Sequence, residues 1–313
     1  MNNFKTYVVY HSPCTDGFMS AYIANLYFKS EKAFGNEDVE YISCAPNKMP
    51  HFDEPENAII YFFDVAPKRE DLIELRKKAY MVKVIDHHIT NKEELGDLKY
   101  CHFEMDKCGA TLAWEYFFQD KEKPWWVLYN QERDLGTIFK EPEKCLPDSL
   151  AVNAHLTSIP FTFQMYDDEL YTDEDWTFAD IVQRGKGILA GQQTNFDWII
   201  KSSFKADFVY EGKNGEVIRH YDIPVVNSSC LQSKLGNELS KNAEFACVFA
   251  VRIMDGIPKA YVSLRSQNNG AAVDKIAKCF KGGGHQQAAA FSLPLDTWFK
   301  IIRNYSKMEG YSE

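Results

Sequence analysis

The tripeptide Asp86-His87-His88 directly follows a run of apolar residues and places a carboxylate beside two imidazoles. Burying a carboxylate and two imidazoles is costly unless they pair with one another or bind a metal ion. Because side chains alternate along an extended chain, one imidazole could face a metal while the other faces a substrate. The tripeptide therefore indicates a metal centre, although a capped strand end with surface histidines would have the same sequence.

Two further polar groups follow apolar segments in the same way. Asp64 comes after Tyr61-Phe62-Phe63, and His11 and Asp16 come after Tyr7–Tyr10. A carboxylate such as Asp64 can bridge two cations, as a two-metal site requires. Each of the two carboxylates could instead cap the helix predicted to follow it, and the two roles are compatible.

The second half of the chain offers groups suited to anions. Lys281-Gly282-Gly283-Gly284-His285 exposes backbone N–H groups beside a titratable histidine. Arg265, at the end of a predicted strand, could bind a phosphate in bidentate fashion. The glycine run could equally be a flexible helix cap. Arg265 could belong to a surface ion pair, and so could Asp134, which follows Arg133.

The order of the predicted elements indicates where these groups lie. Apolar strands alternate with amphipathic helices in the first half, as in a doubly wound parallel sheet. Ligands bind at the carboxyl ends of strands in such sheets, so we expect the three polar groups to converge on one edge. We predict an α/β protein with three parts: a parallel-sheet N-terminal domain (1–180), a helical linker (181–207) and a smaller α+β C-terminal domain (208–313) with a mostly antiparallel sheet.

Several helices are predicted with definite bounds. They are Gly109–Gln119, a long helix from about Trp176 to Lys205, Leu231–Lys241, Val273–Phe280 and Thr297–Lys307.

Composition excludes some functions. The 313 residues carry a net charge of −10, which argues against coating or reading duplex nucleic acid. No apolar run is long enough to span a bilayer, and the N-terminus lacks a cleavable signal pattern. The eight scattered cysteines contain no CxxC pair, as expected of reduced thiols. We predict a cytoplasmic protein that does not bind membranes.

Taken together and in this order, the motifs resemble the DHH phosphoesterase superfamily, in the branch that carries the DHH-associated C-terminal domain. The resemblance covers nearly the whole chain and rests on His11 with Asp16-Gly17, Asp64, Val84-Ile85-Asp86-His87-His88, the segment Cys108–Glu115, Arg133-Asp134-Leu135, Val262–Ser266 and Gly282-Gly283-Gly284-His285.

The resemblance implies two divalent cations, with Mn²⁺ the first choice and Mg²⁺ or Co²⁺ as alternatives. His11 and Asp64 would hold one ion. The other would be held by Asp16, Asp64, His87 and Asp134, with Asp64 bridging. Asp86 would orient its neighbours, and His88 would face the phosphate that a metal-activated water attacks. The substrate-binding residues would be Arg265, Gly283, Gly284 and His285.

The function expected from this resemblance is hydrolysis of phosphodiester bonds in short oligonucleotides or related small nucleotides, of the exonuclease or oligonucleotidase type. A homodimer is possible, and no long duplex substrate is expected. One alternative is a phosphomonoester, pyrophosphate or polyphosphate hydrolase. Another is a non-catalytic nucleotide-binding module with a degraded first metal site. That alternative arises because Cys14 and Thr15 stand where the family usually offers another carboxylate.

Overall fold

The computed structural model describes residues 4–30, 39–119, 121–170, 178–254 and 256–307. The chain divides into two compact units, Met1–Leu189 and Ala190–Glu313. Their boundary falls inside the stretch 181–207, which the sequence predicts to be a linker.

Unit 1 is built on a five-stranded sheet with the order β2-β1-β3-β4-β5, in which every neighbouring pair is parallel. Its strands are β1 Thr6–His11, β2 Val39–Cys44, β3 Ile59–Phe63, β4 Met81–Asp86 and β5 Cys101–Phe103. The predicted parallel sheet is confirmed. The short edge strand β5 was not predicted, since three residues are too few to show a period.

Helices connect these strands and extend the unit beyond them. They are α1 Thr15–Ser30, α2 Arg69–Lys78, α3 Ile89–Leu95, α4 Gly109–Phe118, α5 Trp125–Asp134, α6 Thr137–Lys140, α7 Ser149–Leu156 and α8 Phe163–Leu170. Helix α9, Phe178–Lys201, contains the boundary between the two units. A 3₁₀ turn, Pro142–Lys144, lies between α6 and α7.

Successive side chains of each strand point to opposite faces of the sheet, and both faces are buried. Val8 and Phe63 belong to a core that includes residues of α1 and α4, whereas Val9 and Phe62 belong to a separate core with residues of α2. All four side chains are fully buried, and each contributes about 1.5–3 kcal/mol of hydrophobic free energy. The apolar cores on both faces therefore fix where the strands end, and with them the polar residues at those ends.

Unit 2 contains a seven-stranded sheet with the order β10-β11-β9-β8-β7-β6-β12. Its strands are β6 Phe204–Glu211, β7 Val217–Asn227, β8 Ala246–Met254, β9 Ile257–Arg265, β10 Gly283–His285, β11 Ala288–Pro294 and β12 Ile302–Lys307. Only β7 and β8 pair in parallel among these described strands, which confirms the predicted mostly antiparallel sheet. The helices are α10 Gln232–Leu239, followed by a 3₁₀ turn, Ser240–Asn242, then α11 Val273–Cys279 and α12 Leu295–Ile301.

Two predicted helices end earlier than the sequence indicated. The prediction Thr297–Lys307 is wrong after Ile301, because residues 302–307 pair with β6 and bury Ile302 in the core of unit 2. The long helix stops at Lys201, and β6 begins at Phe204. The predicted start of that helix, near Trp176, lies outside the described residues. In both cases pairing with a distant strand overrode a local helical pattern.

None of the helices in the described ranges is both long enough and apolar enough to cross a bilayer.

Candidate metal centre

Polar residues meet at the carboxyl ends of three neighbouring strands. His11 ends β1, Asp64 follows β3, and Asp86 ends β4. Because parallel strands end at the same edge of a sheet, strand pairing alone brings these residues together. The segments that follow β1 and β4, the first turn of α1 and the last residue of α5 add to this set. We call the whole group the strand-end cluster: His11, Cys14, Asp16, Asp64, Asp86, His87, His88 and Asp134.

Asp64 lies at the centre of the cluster and is 2% exposed. Its Oδ2 is 3.3 Å from His11 Nδ1, and its Oδ1 is 3.2 Å from His87 Nε2. The alternative role of Asp64 as a helix cap is not observed, because α2 begins after Lys68 without any side-chain cap. The two carboxylate oxygens thus face different histidines, the arrangement expected of a bridging ligand.

A second group of ligand atoms surrounds His87. Its Nε2 lies 3.3 Å from Asp134 Oδ2 and 3.8 Å from Asp16 Oδ2, in addition to its contact with Asp64. One ring nitrogen carries at most one proton and cannot serve three carboxylates. Asp134 Oδ2 is buried and has no hydrogen-bond partner among the described residues. The separations of 3.2 Å from Asp64 and 3.3 Å from Asp134 are close to the roughly 3 Å between adjacent ligands of an octahedral ion with bonds of about 2.1 Å, and Asp16 lies somewhat farther away. These residues therefore fit a divalent cation.

The pKa values in the cluster reflect crowded negative charge. Burial raises the pKa of Asp16, and the charges of Asp64 and Asp134 raise it further. Burial would lower the pKa of His87, but its contact with Asp64 and the charges of Asp16 and Asp134 raise it to about 9. Burial would raise the pKa of Asp64, yet contacts with His11 and His87 lower it. A bound divalent cation would relieve the repulsion that these shifts express.

Asp86 is fully buried and has its oxygens occupied by protein donors. It accepts hydrogen bonds from the backbone N–H groups of His87 (2.7 Å) and His88 (3.2 Å) and from Asn91 Nδ2 (2.5 Å). Asp86 Oδ1 is also 2.7 Å from His88 Nδ1, and this contact raises the pKa of His88. Asp86 therefore holds the orientation of His88, whose side chain remains 45% exposed.

Asp16 is held by the start of α4. Its carboxylate accepts hydrogen bonds from the backbone N–H groups of Gly109 (2.6 Å) and Ala110 (2.9 Å), two donors that a helix leaves unpaired at its N-terminus. A side chain at position 109 would place its Cβ 2.8 Å from both Asp16 Oδ2 and Asp64 Cβ. Gly109 thus lets α4 approach both carboxylates, and Oδ2 of Asp16 still faces His87.

Two asparagines of this site were missed in the sequence. Asn130 is buried and donates from Nδ2 to Asp16 Oδ1 over 2.6 Å, and Asn91 holds Asp86 as described above. Asn130 precedes Asp134 by four residues on α5, so both lie on one helix face. This spacing of four residues could have indicated that Asn130 and Asp134 act together, but only if the segment was already known to be helical.

Cys14 immediately precedes α1 and is half-buried. Its sulfur and one ligand atom each of His11 and Asp64 all lie within 4.8 Å of one another. Burial, together with the charge of Asp64, raises the pKa of the Cys14 thiol to about 12.

The predicted anion-binding residues lie together in unit 2. The glycine run is not a free loop, because Gly283–His285 forms the edge strand β10. His285 is the register partner of Ala288 on β11, and Ala288 is the partner of Arg265 on β9. His285 and Arg265 therefore lie in one row, two strands or about 10 Å apart, separated by a small side chain.

The guanidinium group of Arg265 is oriented by neutral partners. It donates to Ser263 Oγ (3.0 Å), to the Leu264 carbonyl oxygen (2.8 Å) and to Ser233 Oγ (2.8 Å). In the described part of the chain it makes no ion pair with a carboxylate, so the surface ion pair considered for it is not observed. Gly284 has a φ of 140°, and a side chain there would clash with the backbone of β11.

Comparisons with known proteins agree with this architecture. Residues 5–136 match the family model described as DHH family, N-terminal domain. An uncharacterized protein, R106, of Acanthamoeba polyphaga mimivirus is 29% identical over 299 residues, which are 91% of this chain. The chain spans 66% of the length of that viral protein.

The structure is also similar to that of the pGpG-specific phosphodiesterase PggH from Vibrio cholerae. The two share 12% sequence identity and a TM-score of 0.50, over 95% of this chain and 96% of that one. At this identity the similarity concerns the fold alone. The match to the DHH family model includes every residue of the strand-end cluster, from His11 to Asp134.

Proposed function

We propose that the chain is a metal-dependent phosphoesterase that hydrolyses phosphodiester bonds in short oligonucleotides or related small nucleotides. The observation that carries this proposal is the position of Asp64, whose two oxygens face two separate groups of metal-ligand atoms. The match of residues 5–136 to the DHH family model supports a phosphoesterase.

The proposed ligand sets share Asp64. His11 and Asp64 contribute to one site, and Asp16, Asp64, His87 and Asp134 form the other. Two divalent cations, with Mn²⁺ as the first choice, would lower the pKa of a water molecule and offset the negative charge of a phosphate.

His88 is the proposed contact between the cluster and the phosphate. Asp86 occupies its Nδ1, so Nε2 is the ring nitrogen left for a substrate oxygen. Because Asp86 raises the pKa of His88, the ring is a better hydrogen-bond donor than an isolated histidine at the same pH. His88 would then stabilise negative charge on the phosphate, and Asp86 would keep the ring in place.

In unit 2, we assign substrate binding to Arg265, Gly283, Gly284 and His285. Arg265 is a cation held by hydroxyl and carbonyl oxygens, which leaves its charge available to an anion. At Gly283 and Gly284 the edge strand has no side chain, so its backbone can approach a phosphate closely. Short substrates suit this small set of contacts better than long polymers do.

The alternatives predict different substrates. PggH acts on pGpG according to its name, and this makes linear dinucleotides the first substrates to test. A phosphomonoesterase or pyrophosphatase would use the same cluster without needing the nucleotide contacts of unit 2. A binding module without turnover is the alternative that Cys14 and Thr15 motivate, because they stand where the resembled family usually offers a further carboxylate ligand.

An activity panel with Mn²⁺ tests the proposal. Linear dinucleotides, longer RNA and DNA, cyclic dinucleotides, nucleoside monophosphates, pyrophosphate and polyphosphate are compared for the wild type and Arg265→Ala. We expect turnover of dinucleotides and, because Arg265 contributes binding, a KM for them raised in Arg265→Ala by on the order of 10-fold. Turnover restricted to monoesters or pyrophosphate would overturn the phosphodiesterase assignment. Tight nucleotide binding without turnover would establish the binding module.

A further inference from the structure

We propose that Cys14 is a thiolate ligand of the metal ion bound by His11 and Asp64, which makes this site a nitrogen, sulfur and oxygen site for a thiophilic cation such as Zn²⁺, Co²⁺ or Fe²⁺. This inference rests on the proposed function with its two-metal centre, and it specifies the ligands of one of the two ions. The site of the other ion, with Asp16, His87 and Asp134, has carboxylate oxygens and one imidazole and suits the harder Mn²⁺ or Mg²⁺.

The geometry places the sulfur among metal ligands. The ligand atoms of His11, Cys14 and Asp64 all lie within 4.8 Å of one another, and His11 Nδ1 is 3.3 Å from Asp64 Oδ2. Bonds of about 2.3 Å to sulfur and about 2.0–2.1 Å to nitrogen put tetrahedral zinc ligands about 3.6 Å apart. Only small side-chain movements separate the observed positions from such a site.

The chain around Cys14 keeps the sulfur in this position. His11 ends β1, and α1 begins at Thr15, so only three residues separate the strand from the helix. A side chain at Gly17 would clash with the His11 carbonyl oxygen, which means that glycine permits this tight connection. The sulfur also lies at the N-terminus of a 16-residue helix, where backbone N–H groups favour an anionic ligand.

Other uses of the thiol are not observed. All eight cysteines of the chain are free, so Cys14 is not part of a disulfide. Cys44, Cys101, Cys108 and Cys145 are also in unit 1, but none belongs to a group of metal-ligand atoms in the described residues. When Cys14 binds an ion, its thiol proton passes to solvent and the sulfur lone pair forms the metal bond.

Cobalt spectroscopy tests the assignment independently of activity. Metal-free, reduced, full-length protein is titrated with Co²⁺, and the near-ultraviolet thiolate-to-cobalt charge-transfer band is recorded. We expect the band in the wild type and in Cys101→Ser, a half-buried cysteine of the same unit. Cys14→Ser and Cys14→Asp should lack it, and Cys14→Ser should bind Zn²⁺ more weakly by on the order of 100-fold. Binding of Co²⁺ by the wild type without the band would overturn the proposal, and so would a band that persists in Cys14→Ser.

Thiol protection gives a second measurement that needs no variant. The wild type is alkylated with and without Zn²⁺ and analysed by peptide mass spectrometry. We expect Zn²⁺ to protect Cys14 and to leave the exposed Cys230 reactive. Equal alkylation of Cys14 in both samples would contradict thiolate ligation. Mn²⁺-dependent phosphodiesterase turnover without the cobalt band or Zn²⁺ protection would leave the proposed function standing and remove only this inference.

Discussion

The four buried or half-buried carboxylates of the cluster differ in how many hydrogen bonds they accept from the rest of the protein. Asp86 accepts hydrogen bonds from two backbone N–H groups and a side-chain amide, in addition to contacting His88. Asp16 accepts three hydrogen bonds, one of them at the Oδ2 that also faces His87, whereas Asp134 Oδ2 lies 3.3 Å from His87 Nε2 and has no hydrogen-bond partner in the described residues. Asp86 is therefore suited to orient its neighbours, and Asp16, Asp64 and Asp134 are suited to hold ions.

Asp64→Asn should remove activity while preserving the fold. Asp64 has a φ of 58°, a left-handed conformation that asparagine tolerates better than alanine does. The amide has the same shape but no negative charge to share between two cations. We expect kcat/KM in the activity panel to fall by on the order of 10³-fold, with unchanged circular dichroism. Asp97→Asn, a surface aspartate paired with Arg69, is the matched control and should retain activity. Comparable turnover in Asp64→Asn would contradict the bridging role.

His155 should make the free energy of unfolding depend on pH. It is 4% exposed, and burial lowers its pKa below the ordinary value of 6.5, although Glu169 raises it in part and Arg184 lowers it further. Well above pH 6.5 both the folded and the unfolded states leave His155 neutral. As pH falls below that value the unfolded chain binds a proton that the folded state resists, so stability is lost. Urea unfolding at about pH 7.5 and about pH 5 should therefore show a larger loss for the wild type than for His155→Gln. Equal losses would contradict this assignment.

Among the helices, α4 and α5 add groups to the site in addition to the residues at the strand ends. The N-terminus of α4 donates two N–H groups to Asp16, and α5 brings Asn130 and Asp134 to the same place on one face. The edge of the parallel sheet provides only His11, Asp64 and the segment 86–88. Small changes in the position of either helix should therefore affect metal binding before they affect the sheet.

Gly109→Ala tests the close approach of α4. The new Cβ would lie 2.8 Å from both Asp16 Oδ2 and Asp64 Cβ, and neither side chain is free to move away. We expect a loss of about 1–3 kcal/mol in stability and weaker Mn²⁺ binding, measured by urea unfolding and by calorimetric titration. Gly187→Ala on α9 is the control, because nothing lies within 4 Å of its Cβ and removing a helical glycine should stabilise by about 0.4–1 kcal/mol. Unchanged Mn²⁺ affinity in Gly109→Ala would contradict this packing.

The sequence predicted best what depends on local pattern. Apolar strands followed at once by Asp64 or by Asp86-His87-His88 indicated both the sheet and the edge that carries the cluster. What it missed depends on contacts between distant segments. Strand β12 forms because it pairs with β6, almost one hundred residues earlier in the chain, and Asn130 matters only because α5 packs near Asp16. A helical or polar pattern in one segment contains no information about such partners.

For the whole molecule, each unit has its own hydrophobic core, and the residues we assign to metal and to substrate are divided between the two. The strand-end cluster lies in unit 1 beside the core around Phe63 and Ile85, whereas Arg265 and β10 lie in unit 2, whose core includes Phe208 and Trp298. Because neither core depends on residues of the other, we expect the units to differ in their response to metal ions alone.

Mn²⁺ without substrate should stabilise unit 1 selectively. An ion that binds only the folded state stabilises it by about 2.7 kcal/mol at 100 times its Kd, which slows amide exchange through full unfolding by about 100-fold. Hydrogen exchange measured by mass spectrometry should therefore show greater protection in β3, β4 and the start of α4, and little change in β8 and β9. Asp64→Asn, which lacks the shared ligand, should show no effect of Mn²⁺ in either unit. Equal gains in both units would show that the ion stabilises the two as one cooperative structure, and no gain in unit 1 would contradict a metal centre at the strand ends.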